Sequence, residues 1–483
     1  MESTFPSLTV GAERLVPRGA FAEAQAAFLH PDPADVRALV DRCAATSTGI
    51  VAHFYMDAEL QGALVAAGPP HTFIADSLQM ADAAVKMAEA GKQHIVVLGV
   101  DFMSENVRAV LDAAGYAHVD VYRLADRVIG CSLAESAESP LYAAWLRERA
   151  QVPSTLHVVY INTSLLTKAR AHAIVPTITC TSSNVVQTLL QAAAQIPEVS
   201  IAYGPDTYMG GNLHAMLAQF SALPDDAIRA LHPAHDRRTI GALLDRFSYY
   251  GQGACIVHHL FGDDVVRRVE AEHADALLTA HLEVPGEMFA LAARAQQAGR
   301  GVVGSTSNIL AFITAAVDAA AGRAGPQHVP VVLGTEAGMV TSIVSQVQAR
   351  LRQRGRDDVE VEIIFPVASE AVAAAPDSPL RIVPGVASGD GCSVAGGCAT
   401  CPYMKMNTMD ALHRVLAAID ARSRDPGAAD PLAAWRPKVY AEPVDGRSAA
   451  DLGSEPILHM RAFQRTGRLP DALVTDVRTR APR

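Results

Sequence analysis

Three cysteines, each closing a similar stretch of chain, suggest a shared inorganic centre. They are Cys131 in Gly130-Cys131-Ser132-Leu133, Cys255 in Gly253-Ala254-Cys255-Ile256-Val257-His258, and Cys401 in Cys398-Ala399-Thr400-Cys401-Pro402. Thiolates are the ligands of iron–sulfur clusters, and three of them leave one corner of a four-iron cube without a protein ligand. An open metal position can bind and polarise a substrate, whereas a closed one is structural or passes electrons. The arrangement therefore points to one cluster at the centre of a three-domain enzyme.

The other cysteines bear on that reading. Cys398 and Cys401 form a CxxC pair, with Cys392 six residues before the first of them. A zinc knuckle needs a second CxxC or a histidine pair nearby, and none follows. A thioredoxin-type pair opens a helix after a strand. Pro402 directly after Cys401 matches the Cys-Pro ending of ferredoxin-type runs. Spacing alone leaves open which of Cys392, Cys398 and Cys401 would bind. Cys43 and Cys180 lie in apolar stretches and read as buried, inert thiols.

Three copies of one pattern must position these groups. An apolar run ending in hydroxyl residues and opening an amphipathic helix occurs at Ala75-Asp76-Ser77, Thr181-Ser182-Ser183-Asn184 and Ser305-Thr306-Ser307-Asn308. An apolar strand running into a glycine turn ends at Gly99, Gly204 and Gly334. A polar strand end precedes each hydroxyl turn: His53-Phe54-Tyr55, Tyr160-Ile161-Asn162 and His281-Leu282-Glu283. Strand alternates with helix in each module, which predicts an α/β fold: three similar α/β/α domains with small parallel sheets around a pseudo-threefold axis, the active site at the centre. Ligands collect at the carboxyl ends of such strands, where helix N-termini point N–H groups outward. Ser77, Ser182 and Thr306 could each be no more than a helix N-cap, but matching spacing in three turns favours convergence on one site.

The expected boundaries are an N-terminal extension over 1–47, domains over 48–135, 136–252 and 253–407, and a C-terminal helix with a partly disordered tail over 408–483. Pro33 should open a capped helix in the extension. Residues 366–392 read as a flexible connection delivering the last cysteines. Net charge is −11 without a basic stripe, which argues against nucleic acid as a partner. No apolar stretch approaches the ~20 residues of a membrane span. The first residues lack a signal-peptide pattern, and seven cysteines suit reduced thiols, so the expected location is cytoplasmic.

On these motifs, in this order, the chain resembles the quinolinate synthetase A family. The likeness runs from about Val51 to Asn407 and includes Gly99-Val100-Asp101-Phe102-Met103, Tyr160-Ile161-Asn162-Thr163-Ser164 and Cys401-Pro402-Tyr403-Met404-Lys405-Met406-Asn407. The resemblance implies a [4Fe–4S] cluster held by Cys131, Cys255 and Cys401, with one open iron, and Cys392 and Cys398 outside the ligand set. It implies a transferase of NAD biosynthesis that condenses iminoaspartate with dihydroxyacetone phosphate, and a transient contact with an L-aspartate-oxidising enzyme. It places His53, Ser77, Tyr160, Asn162, Ser182, His281, Glu283 and Thr306 on iminoaspartate, and Tyr55 and Glu283 in proton transfer. His281-Leu282-Glu283 replaces the usual His-Pro-Glu, which should loosen that turn, and Asp101 stands where many members have histidine.

The chemistry suits these residues. Substrates bearing two carboxylates and a phosphate must be held locally by a chain of net charge −11. Hydroxyls and helix N-termini do this, and His53 and His281 could donate charged hydrogen bonds. Enolising a ketose phosphate needs a base, and Glu283 is the carboxylate of the three polar strand ends, with Tyr55 as partner acid or relay. His53 completes the expected catalytic set. His258 could stand behind the cluster or touch phosphate. Two alternatives use the same cysteines: a cluster-dependent hydro-lyase on a small hydroxy acid, and a non-catalytic iron–sulfur redox sensor.

Overall fold

In each module a buried strand, a helix and a second strand repeat, and the packing follows from that alternation. A computed structural model describes residues 5–27, 29–255, 257–258, 261–366, 401, 403–425 and 430–481. Cys392, Cys398 and most of the expected 366–392 connection lie outside the described residues. The strands in chain order are β1 (Ser7–Val10), β2 (Leu15–Arg18), β3 (Thr48–His53), β4 (Thr72–Ala75), β5 (His94–Leu98), β6 (Asp120–Arg123), β7 (Thr155–Tyr160), β8 (Thr177–Cys180), β9 (Ser200–Gly204), β10 (Phe247–Tyr249), β11 (Leu277–His281), β12 (Gly301–Gly304), β13 (Gln327–Gly334) and β14 (Val359–Ile364).

The described residues form three sheets with one strand order. They share the parallel orders β4-β3-β5-β6, β8-β7-β9-β10 and β12-β11-β13-β14, and the last sheet is extended to six strands by β1 and β2, both added antiparallel beyond β14. In each, the second strand of the module lies outside the first, and the chain then crosses to the other side. That reversal leaves a crevice between the first and third strands at their carboxyl ends. The α/β expectation with small, helix-flanked parallel sheets therefore holds. β3 and β7 are buried along their whole length, as strands covered on both faces must be.

Two compact units contain these sheets. One comprises residues up to 100, 118–129 and 256–436, and holds the β3 and β11 sheets. The other comprises 101–117, 130–255 and 437–483, and holds the β7 sheet.

The N-terminal extension is part of the first unit's core. β1 pairs antiparallel with β14, and Leu8, Val10 and Phe21 join the cluster of Val331, Val361 and Phe365. The helix Pro33–Ala45 starts as its sequence predicts, with Asp32 as N-cap accepting from Ala34 N and proline in the first turn. The C-terminal tail departs from expectation. Among its described residues it carries, beyond the expected helix, the helices Ala449–Thr466 and Asp471–Thr479. Leu452, Ile457, Met460 and Phe463 are buried, and Gly453 lies so close to Leu165 that a Cβ would sit 2.2 Å from its carbonyl oxygen. A polar-rich sequence hid an apolar stripe wide enough to dock on the helix Leu165–Ile174. No helix among the described residues is long and apolar enough to cross a membrane.

Candidate active site

The three polar strand ends have the same local construction. The residue after each strand end continues the parallel ladder: Phe54 N donates to Ala75 O at 3.1 Å, Ile161 N to Cys180 O at 2.9 Å and Leu282 N to Gly304 O at 3.1 Å. Leucine at 282 thus supplies a donor that proline lacks. This corrects the expectation of a loosened turn.

The hydroxyl turns are not simple caps. Asp76 caps the helix Ser77–Glu89, accepting from Leu78 N and Gln79 N. Ser305 caps the helix Thr306–Ala321 in a reciprocal box with Asn308. The residue before each hydroxyl does the capping, so Ser77 and Thr306 are spared it. Ser182 stands two residues before Asn184, whose Oδ1 accepts Thr181 N at 2.8 Å.

Within the first unit, several of the expected residues meet. Tyr55 OH lies 3.1 Å from Thr306 Oγ1 and 3.4 Å from Thr335 Oγ1, joining the β3 end to the ends of β12 and β13. His53 and Tyr55 rings meet edge to face at 4.6 Å. Glu283 Oε2 lies 3.0 Å from His258 Nδ1, and the His258 ring stacks on His281 at 5.1 Å. Neither ring nitrogen of His258 makes a hydrogen bond among the described residues, the Glu283 approach being one of charge and not of hydrogen-bond geometry. Gly338 lets the backbone after β13 press on this corner, since a Cβ there would lie 2.7 Å from Tyr55 Cα.

His53 and His281 share a second device. Tyr55 N donates to His53 Nδ1 at 3.2 Å, and Glu283 N to His281 Nδ1 at 3.3 Å. An Nδ1 that accepts leaves Nε2 carrying the proton, so both rings offer an Nε2–H donor. Burial pushes His53 down to about 3 and His281 down to about 4, against the opposing pull of Glu283. Both rings are therefore neutral near pH 7, which corrects the expectation of charged donors.

Sequence reasoning missed Thr335 and Glu336. Glu336 is fully buried, and burial, then the nearby Glu283 charge, holds its carboxyl well above the usual range, while Cys401 N donates to its Oε1. Burial and the Glu336 and Glu283 charges raise the Tyr55 phenol too. A signal was present: Gly99-Val100-Asp101, Gly204-Pro205-Asp206 and Gly334-Thr335-Glu336 each place an acid two residues after the turn glycine. Asp206 caps the helix Thr207–Ala222, and Asp101 opens the helix Asp101–Ala113.

The second unit holds Tyr160, Asn162, Ser182, Cys131 and Cys255. Tyr160 ends β7 and is buried, and Asn162 is half-buried in the next turn. Cys131 precedes the helix Ser132–Glu138. Ser132 Oγ donates to Ala254 O at 3.4 Å, so the neighbours of Cys131 and Cys255 are bonded to each other. Gly253 packs there without a side chain, since a Cβ would lie 2.2 Å from Pro205 O and 2.8 Å from Ser136 Oγ of the helix that follows Cys131. Cys401 belongs to the first unit.

The thiols differ by environment. Cys131, Cys255 and Cys401 are partly exposed, whereas Cys43 and Cys180 are buried. Burial pushes the Cys43 thiol up to about 11 and Cys180 well above its usual value. Soft, accessible donors at turns suit a thiolate-bound iron–sulfur cluster, and the two buried thiols do not.

The neutral histidines make the protein acid-sensitive. Each stays unprotonated when folded, whereas the unfolded chain gains a proton as pH falls through about 6.5, so folding stability drops from there to the folded values near 3 and 4. Each such group contributes about 1.4 kcal/mol per pH unit in that window. Urea unfolding of apo-protein between pH 6.5 and 4.5 should therefore show a steep slope that His281→Gln reduces by about that amount. An unchanged slope in the variant would mean that His281 is already protonated when folded.

Comparison with known proteins places this geometry. Residues 37–360 match the family model described as Quinolinate synthetase A protein. The chain is 51% identical over 489 residues to "Quinolinate synthase, chloroplastic" of Nicotiana tabacum, covering 99% of this chain and 67% of that protein. It is 50% identical over 485 residues to the protein of the same name from Arabidopsis thaliana, covering 98% and 67%. To "Quinolinate synthase" of Methanopyrus kandleri it is 28% identical over 372 residues, covering 77% and 89%. The chain thus spans about two thirds of the length of its plant relatives. Those plant relatives, rice included, are chloroplastic by name, and this overturns the cytoplasmic expectation. Thiol usage reports a reducing environment, not which compartment provides it.

Proposed function

The chain belongs to the quinolinate synthetase A family, and from that premise we propose that it condenses iminoaspartate with dihydroxyacetone phosphate to quinolinate, phosphate and two waters. The reaction is a transferase step of NAD biosynthesis, and the plant relatives support a plastid location for it. The observation that carries the reading is the meeting of half-buried Tyr55 with Thr306 and Thr335 at strand carboxyl ends, within the electrostatic reach of buried Glu283 and Glu336.

In this reading Cys131, Cys255 and Cys401 hold a [4Fe–4S] cluster. When bound, it supplies a Lewis-acidic iron with an open coordination position.

The chain's own groups do the rest. His53 and His281 donate Nε2–H hydrogen bonds to the carboxylates of iminoaspartate, and the arriving negative charge strengthens them. Ser77, Ser182, Tyr160, Asn162 and Thr306 complete the hold on that substrate. Glu283 takes the proton that enolises the ketose phosphate. Burial biases both Tyr55 and Glu336 toward their protonated forms, so each can give a proton to a departing hydroxyl. Burial of the cluster of side chains excludes water that would hydrolyse the imine.

The test is quinolinate formation from both substrates by anaerobically reconstituted full chain. Product is expected only with both present. A protein of intact cluster that makes none would overturn the reading. Dehydration of a small hydroxy acid without phosphate release would support the hydro-lyase, and cluster loss or gain coupled to partner binding without turnover would support the sensor.

A further inference from the structure

We infer that Gln61 and Lys168 are positioning residues that fix the turns carrying Tyr55 and Asn162, and the inference rests on the reading of those two as substrate-facing. Gln61 Nε2 lies 2.6 Å from Phe54 O, 2.9 Å from Met56 O and 2.5 Å from Gly338 O. It brackets Tyr55 with the carbonyls on either side. Lys168 Nζ donates to Ile161 O at 3.1 Å and to Thr163 O, the carbonyls on either side of Asn162.

The two positions are equivalent. Each follows the residue it brackets by six. Each is the fourth residue of the helix after the polar strand end, Ala58–Ala67 or Leu165–Ile174. Each closes the first helical turn, Gln61 N bonding Asp57 O at 3.0 Å and Lys168 N bonding Ser164 O at 3.1 Å. The two modules use an amide and an ammonium for the same task, so the task rather than the side chain has been kept. The third module has buried Phe289 six residues after Glu283 and no clamp there, although Glu283 N and Val284 N bond His281 just as Tyr55 N and Met56 N bond His53.

Filling the core does not by itself call for these groups. Both side chains are fully buried. An ammonium in the first turn of a helix opposes the positive end of the helix dipole, and its burial is unfavourable. Desolvation pushes Lys168 down to about 7, against the opposing charge of Glu105. Glu105 supports the arrangement: its Oε2 accepts Leu165 N at 2.8 Å, and Tyr440 OH, from the C-terminal segment, donates to its Oε1 at 3.0 Å. A leucine or methionine would fill the same space but leave the bracketing carbonyls without these donors. Its use is to stop the turn from rotating, since an unclamped peptide at 161–163 would swing the Asn162 side chain.

The experiment compares Lys168→Met, Lys168→Gln and Gln61→Met in reconstituted full chain. Read are kcat and KM for each substrate, the unfolding midpoint, and hydrogen–deuterium exchange of segments 53–57 and 160–164. Lys168→Met should speed exchange at 160–164 and lower kcat/KM about ten-fold or more, since small misplacements of a positioned group have effects of that order. Lys168→Gln, which supplies amide donors as Gln61 does, should recover most of both. Gln61→Met should do the same at 53–57, acting on kcat through Tyr55, and it keeps the question open to test if Lys168→Met fails to fold. Equal damage in Lys168→Met and Lys168→Gln would overturn the inference. So would variants of lowered midpoint whose folded fraction keeps wild-type kcat and KM. If the wild type makes no quinolinate, the functional reading fails, and exchange in the two segments still decides the clamp.

Discussion

Alanine at Cys131, Cys255 or Cys401 should leave a protein that cannot hold iron, while alanine at Cys398 leaves a protein that can. The reconstituted wild type is expected to carry about four irons and four sulfides per chain. Each of the three variants should lose most of both, with loss of the anaerobic absorption of the cluster. The physical ground is the difference in thiol environment. Cys131, Cys255 and Cys401 are partly exposed at turns, and Gly253 and the Ser132–Ala254 bond hold the neighbourhoods of the first two together. Cys43 and Cys180 are buried and kept protonated, so they cannot substitute. Stoichiometric zinc in place of iron, or cluster loss in Cys398→Ala with retention in Cys401→Ala, would reverse the ligand assignment.

Glu283→Gln should lower kcat by about a hundred- to ten-thousand-fold, the usual worth of a general base, while iron content stays at the wild-type level. The substitution is nearly isosteric and removes the proton acceptor without emptying the space. Glu283 sits where a base can be held in place: its own N–H is tied to His281 Nδ1, and its carboxylate lies 3.0 Å from His258 Nδ1. Substrate KM should move little, because the histidines and hydroxyls that hold the carboxylates remain. A kcat within about three-fold of wild type would take the base role away from Glu283.

Much of this arrangement was legible because its grammar is local. His53, Tyr160 and His281 end strands, and Ser77 and Thr306 begin helices, as their motifs predicted. A strand-to-helix turn is written in a few adjacent residues, so three copies of it could be read and aligned. Glu336 escaped because its turn was read for its glycine and not for the acid two residues later. The clamps at Gln61 and Lys168 escaped for a different reason: a glutamine or lysine in a helix reads as a solvated face, and only packing reveals that the side chain turns inward to bracket a peptide. The tail escaped because its apolar stripe is diluted among charged residues.

By itself, the sequence determined the three-module order, the strand and helix ends, and the residue types that could bind iron and handle anions. These depend on short-range sterics and capping. The tertiary structure decided which partners each side chain meets: β1 against β14, Tyr440 against Glu105, Tyr55 against Thr306 and Thr335. It also decided that His53 and His281 are neutral, because ionisation depends on the water a fold removes, and no residue carries that information in its own neighbourhood along the chain.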